Sequence, residues 1–330
     1  MGASFSYQGK LAVVTGGGSG MGRELVRQLA AQECSVATCD WHADSVAETA
    51  ALARAAAPPG VRVTSHACDV SVEEQVLRFR DEVIEEHACD HLDLVFSNAG
   101  IGGGGSFIAD SREDWERTFA VDWWGVYYCA RAFLPLLIAG SDGVLVNTSS
   151  VNGFWASLGA GVPHTAYSTA KFAVKGFSEA LIEDLRVHAP HVRVAVVMPG
   201  HVGTDILANS ARAQGLPEPA KMSDAEVMEV FRPGTLAALV RSGALAETAS
   251  ADELRQLLVQ FNDGFRDGAP LTAADAVTSI LDQVGSGAWR ILVGEDARRL
   301  DEAVRARPEE AYEPPGLFGL RAQSGTSSDT

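Results

Sequence analysis

Tyr167 and Lys171 stand four positions apart in the stretch AYSTAK, residues 166 to 171. That spacing puts a phenol and an ammonium on one face of a helix, one turn apart. A phenol titrates at about pH 10 and is a poor base at neutral pH, but an ammonium within reach favours the phenolate and draws its pKa down. Such a pair can take a proton from a hydroxyl group or return one to a carbonyl oxygen. Taken alone, the two residues are more often an ordinary strip of helix surface, so other parts of the chain must decide.

The second group with chemical meaning is the glycine stretch in VVTGGGSGMGRELVRQLA, which follows a β-branched apolar run and opens a helical period. Gly16, Gly20 and Gly22, with Gly18, Ser19 and Met21 between them, leave backbone amides at a helix start uncovered, so a pyrophosphate could approach them with the helix dipole in its favour. Asp40 ends the next apolar run, 18 residues after Gly22. A dinucleotide fold places there the acid that binds the adenosine ribose diol, and its charge would repel a 2′-phosphate. The loop carries no Arg or Lys before Met21, and Trp41 and His42 follow the acid, so NAD(H) is the expected cofactor and NADP(H) the alternative. A plainer role for Asp40 is to cap the following helix.

These residues need a scaffold, and the chain supplies an alternating one. Seven short apolar runs, at 11–15, 35–39, 61–67, 92–97, 143–149, 192–197 and 290–294, recur between segments of helical period. They lack strict polar alternation, as strands buried on both faces should. The expected fold is α/β, a doubly wound Rossmann fold with a parallel sheet of about seven strands and helices on both faces. One domain over residues 1–300 is expected, with 205–270 as a helical insertion covering the substrate and 301–330 as an extension ending in a mobile polar tail.

With the motifs in order, Thr15 to Gly22, Asp69-Val70, Asn98-Ala99-Gly100, Ser150, Tyr167-x-x-x-Lys171 and Pro199-Gly200-x-Val202-x-Thr204, the sequence resembles the classical short-chain dehydrogenase/reductase (SDR) family over about residues 8 to 205. The resemblance implies an NAD(P)-dependent oxidoreductase acting on a CH–OH group. It implies that Asp69 and Val70 meet the adenine, that Asn98, Ala99 and Gly100 form the floor under the cofactor, and that Val202 and Thr204, beyond Pro199 and Gly200, meet the nicotinamide carboxamide. Ser150 would hold the reacting oxygen, with Ser149 its rival. Tyr167 would be the acid/base, and Lys171 would tune it and hold the nicotinamide ribose. The loop GIGGGG, residues 100 to 105, receives no ligand role.

Two features depart from the family pattern. Asp122 stands where the family usually has an asparagine that holds a water, and an ionised aspartate only accepts hydrogen bonds. Its plainer reading is a partner for Lys171 or for backbone. The interval from Ser150 to Tyr167 is 17 residues, about four more than the resemblance leads one to expect, so an extra loop should border the pocket. Phe154 and Trp155 lie in that stretch and are candidate substrate contacts for an apolar molecule. His164 and His201 are read as ordinary loop histidines, and no histidine spacing suggests a metal site.

A net charge of -17 argues against nucleic acid and anionic lipid as partners, since Lys and Arg clusters are missing. The 5 cysteines show no CxxC spacing and read as reduced core residues. No apolar run is long enough to span a bilayer, so a cytoplasmic location is expected. The resemblance implies a homodimer or homotetramer working on a small apolar alcohol or ketone, with the helices carrying Trp115 to Ala132 and Tyr167 to Leu185 as contact faces, the second lined by Ala166, Ala170 and Ala173. The alternative is a catalytically idle member of the same fold that binds NAD(H) as a redox sensor or stabilises a partner subunit.

Overall fold

The run LAVVT forms strand β1 (Leu11–Thr15) and SVATCD forms β2 (Ser35–Asp40), both largely buried. Val63–Ala67 is β3, Leu94–Ser97 is β4, Gly143–Thr148 is β5 and Val192–Pro199 is β6. A computed structural model describes residues 5–158, 163–231 and 249–312 of the chain. The expected tail beyond 312, the middle of the Ser150–Tyr167 loop and part of the 205–270 insertion lie outside the described residues. With Arg290–Val293 as the last strand, the seven expected strands form one sheet in the order β3-β2-β1-β4-β5-β6 and then 290–293. All neighbours in it are parallel.

Successive strand residues face opposite layers, as a period of two requires. Ala12 and Val14 join one core with Leu25 and Leu29 of helix α1 (Gly20–Ala31) and with Ile280 of the helix Ala273–Gly285. Val13 joins the other core, where Phe79 of α3 (Glu73–His87) meets Phe133 of α5 (Gly125–Ala139) edge to face at 5.5 Å. Removing either ring would cost about 3–5 kcal/mol. Strands packed on both sides explain why their sequences read as unbroken apolar runs.

Strand order reverses between β1 and β4, which opens a crevice at the carboxyl ends of the strands. Two local features aim side chains into it. The chain runs from α4 (Arg112–Phe119) through a wide π-type turn at Ala120–Trp124 into α5, and that turn buries Asp122. Helix α6 (Thr165–His188) has no side-chain cap. Its first amides are satisfied instead by the glycine loop, Thr165 N donating to Gly105 O at 2.8 Å and Ala166 N to Gly104 O at 2.9 Å.

The segment after β6 is mainly helical, with α7 (Ile206–Ala213), α8 (Asp224–Val230) and the helix Ala251–Asp267. Ser223 with Glu226, and Ser250 with Glu253, form capping boxes at two of these starts. Met222, Val227, Phe231 and Leu254 make a small separate core. A two-residue parallel ladder, Val202–Gly203 on Leu271–Thr272, closes the base of the segment and was not expected from the sequence. The helix Glu295–Ala306 runs across residue 300, and Asp301 on it accepts from Arg290 and Arg305.

Candidate active site

The crevice is a cleft of about 500 Å³, within the roughly 300–1,000 Å³ typical of small-molecule sites. Gly16, Gly18, Ser19, Gly20, Met21 and Gly22 form one wall, and Asp40, Asp69, Val70, Asn98, Ala99, Gly100 and Thr204 line the rest. The glycines are required by close approach. Gly16 has φ +69° and a Cβ there would lie 2.7 Å from Ala99 Cα, while a Cβ on Gly22 would run into the Gly16 carbonyl. A Cβ on Gly18 would come within 2.8 Å of the Asp40 carboxylate. The result is a cradle of bare backbone closed at one end by an acid, which fits a dinucleotide.

Asp40 does not cap the next helix. His42 takes that place, its Nδ1 accepting from Ser45 N at 3.4 Å. Asp40 Oδ2 accepts from Gly18 N at 3.0 Å and Oδ1 from His42 N at 3.0 Å, which fixes the carboxylate at the cleft wall. Asp69 Oδ1 accepts from Ser71 N at 2.9 Å, and Val70 packs against Gly125.

At the inner end Gly100 joins the cleft to a buried cluster, since a Cβ there would lie 2.7 Å from Asp122 Oδ1 and 3.2 Å from Lys171 Nζ. Lys171 is 2% exposed. Its Nζ lies 5.3 Å from the Tyr167 ring centroid, 3.4 Å from Asp122 Oδ1, and donates to Thr148 O at 3.2 Å. Ser150 Oγ accepts from Asn152 N at 3.1 Å, and its hydroxyl favours the Tyr167 phenolate. The rival Ser149 points elsewhere, its hydroxyl donating to Lys171 O at 2.7 Å.

The electrostatics correct one expectation. Burial raises the Tyr167 pKa more than Lys171 lowers it, Asp122 raises it further, and the Ser150 hydroxyl pulls it back only partly. The balance favours the neutral phenol, the form that donates a proton. Burial also pushes Lys171 down, but Asp122 and Tyr167 outweigh it and hold the ammonium above its ordinary value. The Asp122 carboxyl is pushed up to about 6 by burial, against the pull of Lys171 and the Ile101 amide. Asp122 thus does both things its plain reading allowed, pairing with Lys171 and accepting from Ile101 N at 3.0 Å. Burial lowers the His164 pKa to about 4, and the neutral ring lies tilted against Tyr167 with the centroids 4.6 Å apart.

Other candidate residues lie farther out. Pro199 ends β6 opposite Val293, Gly200 N donates to Val293 O at 2.9 Å, and Val202 is buried. Thr204 sits against Gly20. His201 is held by the protein, its amide on Asp296 Oδ2 and its ring Nε2 on Phe265 O, both at 2.7 Å. Phe154 follows the turn Val151–Gly153. Trp155, read from the sequence as a substrate contact, is 6% exposed and donates from Nε1 to Ala311 O at 2.9 Å.

A family model described as short chain dehydrogenase matches residues 10–215. The chain belongs to the short-chain dehydrogenase/reductase family. SadH of Mycobacterium tuberculosis, an oxidoreductase by name, is 40% identical over 210 residues, covering 64% of this chain and 73% of SadH. A Burkholderia phymatum family member crystallised with NAD superposes with a TM-score of 0.71 at 28% identity, over 93% of this chain and 95% of that one. A metagenomic family member in complex with NADP gives a TM-score of 0.52 at 30% identity, over 59% of this chain and 84% of that one.

Membership makes this chain an SDR oxidoreductase, a family that binds a nicotinamide cofactor. The glycine motif and Asn98-Ala99-Gly100 line the cleft, and Gly100 borders Lys171 and Asp122 of the buried cluster. Several supporting residues escaped sequence reading. Thr15 Oγ1 accepts the Asn98 and Ala99 amides at 3.0 and 3.1 Å, which locks the cleft floor to β1. Asn209 of α7 donates to Ser19 Oγ at 2.9 Å, so the insertion touches the glycine loop directly. Only Thr15 carried a signal, its place at the head of the glycine motif.

Proposed function

We propose that this SDR chain interconverts a secondary alcohol and a ketone by hydride transfer with NAD(H). The observation that carries the reading is the cluster of Tyr167 and Lys171, with Ser150 acting on the phenol, that adjoins a nucleotide-sized cleft at Gly100. Gly16 to Gly22 would cradle the pyrophosphate, Asp40 would take the adenosine ribose diol, and Asp69, Val70, Asn98 to Gly100, Pro199, Gly200, Val202 and Thr204 would frame the bases. When bound, the nicotinamide supplies or accepts the hydride. The chain's own residues do the rest. Ser150 orients the reacting oxygen, Tyr167 gives a proton to a ketone or takes one from an alcohol, and Lys171 holds positive charge beside the phenol.

NAD(H) over NADP(H) follows from Asp40, whose fixed carboxylate would meet a 2′-phosphate with like charge. The segment 205–270 would cover the substrate, because α7 reaches the cleft through Ile206, Asn209 and Arg212. Trp123, Trp124, Tyr127, Tyr128, Phe172 and Phe177 on α5, α6 and the turn before α5 offer an aromatic face for a second copy of the chain. The sequence-based expectation that Ala166, Ala170 and Ala173 line this contact is corrected for the first two, which are fully buried against their own chain; Ala173 is half-buried.

The test is a spectrophotometric screen of cyclic, steroid-like and aliphatic secondary alcohols with NAD, beside calorimetric titration of NADH and NADPH. Turnover of at least one class and clearly tighter NADH binding are expected. Equal affinities would remove the role given to Asp40, and tight cofactor binding without turnover would favour an idle NAD(H)-binding subunit.

A further inference from the structure

Arg23 lies behind the glycine turn. Its Nη2 donates to Gly18 O at 2.8 Å and to Glu48 Oε2 at 2.7 Å, and its Nε donates to Thr49 Oγ1 at 3.0 Å. The amide of the same Gly18 donates to Asp40 Oδ2 at 3.0 Å. Gly18 is therefore clasped from both sides, by the acid that would meet the ribose and by a guanidinium one peptide unit away. The two arginines that line the cleft itself, Arg117 and Arg212, are tied to α7 instead, through Ala213 O and Asn209 Oδ1.

Arg23 is thus a cation placed to act on charge at the ribose end. Neither side chain lines the cleft, but Arg23 reaches it through Gly18, whose carbonyl it holds, while Glu48, 61% exposed, acts through Arg23 and is screened by solvent. As folded, the Glu48 carboxylate cancels the Arg23 guanidinium, and Asp40 is left to set the sign of the field. Without Glu48 the same guanidinium would offset Asp40 and ease the entry of a doubly charged 2′-phosphate.

We propose that Glu48 is a specificity-determining residue for the nucleotide, acting through Arg23 to keep the ribose end of the cleft anionic and so exclude NADP(H). The proposal rests on the reading of the cleft as an NAD(H) site. It makes discrimination the work of three charges, Asp40, Glu48 and Arg23, instead of one. Glu48 touches no nucleotide in this account, so its effect must appear in the ratio of affinities and in its salt dependence.

The experiment titrates wild type, Glu48→Gln, Glu48→Lys and the double variant R23Q/E48Q with NADH and with NADPH, following the intrinsic and nicotinamide fluorescence at low salt. The preference for NADH should shrink about three- to tenfold in Glu48→Gln and further in Glu48→Lys, chiefly through tighter NADPH binding. The double variant restores the wild-type local charge and should restore the ratio to within about twofold. Raising the salt to about 0.5 M should shrink the differences. An unchanged ratio across the Glu48 series, with NADH still bound, overturns this proposal alone. If wild type binds no NADH, the reading of the cleft falls and this proposal with it. Glu48 is exposed, so the two single variants decide the matter even if changing Arg23 disturbs the glycine turn.

Discussion

Asp122 Oδ1 lies 3.4 Å from Lys171 Nζ, while Asp122 Oδ2 is buried with no hydrogen-bond partner among the described residues. The wide turn at Ala120–Trp124 carries this carboxylate into the cluster. An asparagine at the same point could donate as well as accept, whereas the ionised acid adds a negative charge 3.4 Å from the ammonium that tunes Tyr167.

Stability should register that charge. The folded Asp122 pKa, about 6, stands above the ordinary value of 3.8, so the folded state holds this proton more tightly than the unfolded one. The stability Asp122 contributes is complete below about pH 4 and is lost as pH rises through about 6. Urea unfolding of wild type and Asp122→Asn from pH 4 to 7.5 should show wild type losing on the order of 2 kcal/mol relative to the variant across that window. Parallel stability curves would contradict it.

The rate profile should move as well. Ionised Asp122 raises the Tyr167 pKa, so Asp122→Asn should shift the rising basic limb of alcohol oxidation to lower pH and keep or increase activity at neutral pH. An unshifted profile would exclude coupling to Tyr167. A collapse in rate with folding intact would make Asp122 a proton carrier instead.

The strands, the glycine cradle and the Tyr-Lys spacing were legible because each is local. Strands buried on both faces write themselves as β-branched runs, and a helix fixes Tyr167 and Lys171 within one turn. What escaped the sequence depends on contacts between distant segments. Trp155 looked like a pocket wall until Ala311, 156 residues later, was seen to accept its N–H. The pKa of Tyr167 was read from Lys171 alone, but burial, which no spacing reveals, is the larger influence. Ala166 and Ala170 share a strip of small residues, yet the strip faces the chain's own interior.

The loop GIGGGG acquires a structural duty that its composition did not disclose. Gly104 has φ +57°, accepts the Ala166 amide at 2.9 Å, and a Cβ on it would overlap the Ala166 methyl. Gly104→Ala should lower stability by about 1–3 kcal/mol and displace the first turn of α6, reducing turnover while NADH affinity holds. A thermal melt that matches wild type would rule this out.

Assembly has a direct probe in Trp124 and Phe172, which are 41% and 42% exposed although large and apolar. Trp124 stacks on Tyr128 at 5.9 Å and Trp123 meets Phe177 at 5.5 Å, so the face is a continuous aromatic surface. Wild type should sediment as a dimer or tetramer at micromolar concentration, and Trp124→Glu should shift it toward monomer. A monomeric wild type would remove the proposed interface.

The central claim is that the Tyr167 phenol moves the proton. It is tested most directly by comparing NAD-coupled turnover of wild type and Tyr167→Phe on the alcohol that wild type oxidises fastest, with NADH affinity measured alongside. The substitution keeps the ring and its contact with His164 but removes the acid/base group. Turnover should fall by about two to four orders of magnitude with NADH affinity preserved. Near-normal turnover in Tyr167→Phe would contradict the mechanism.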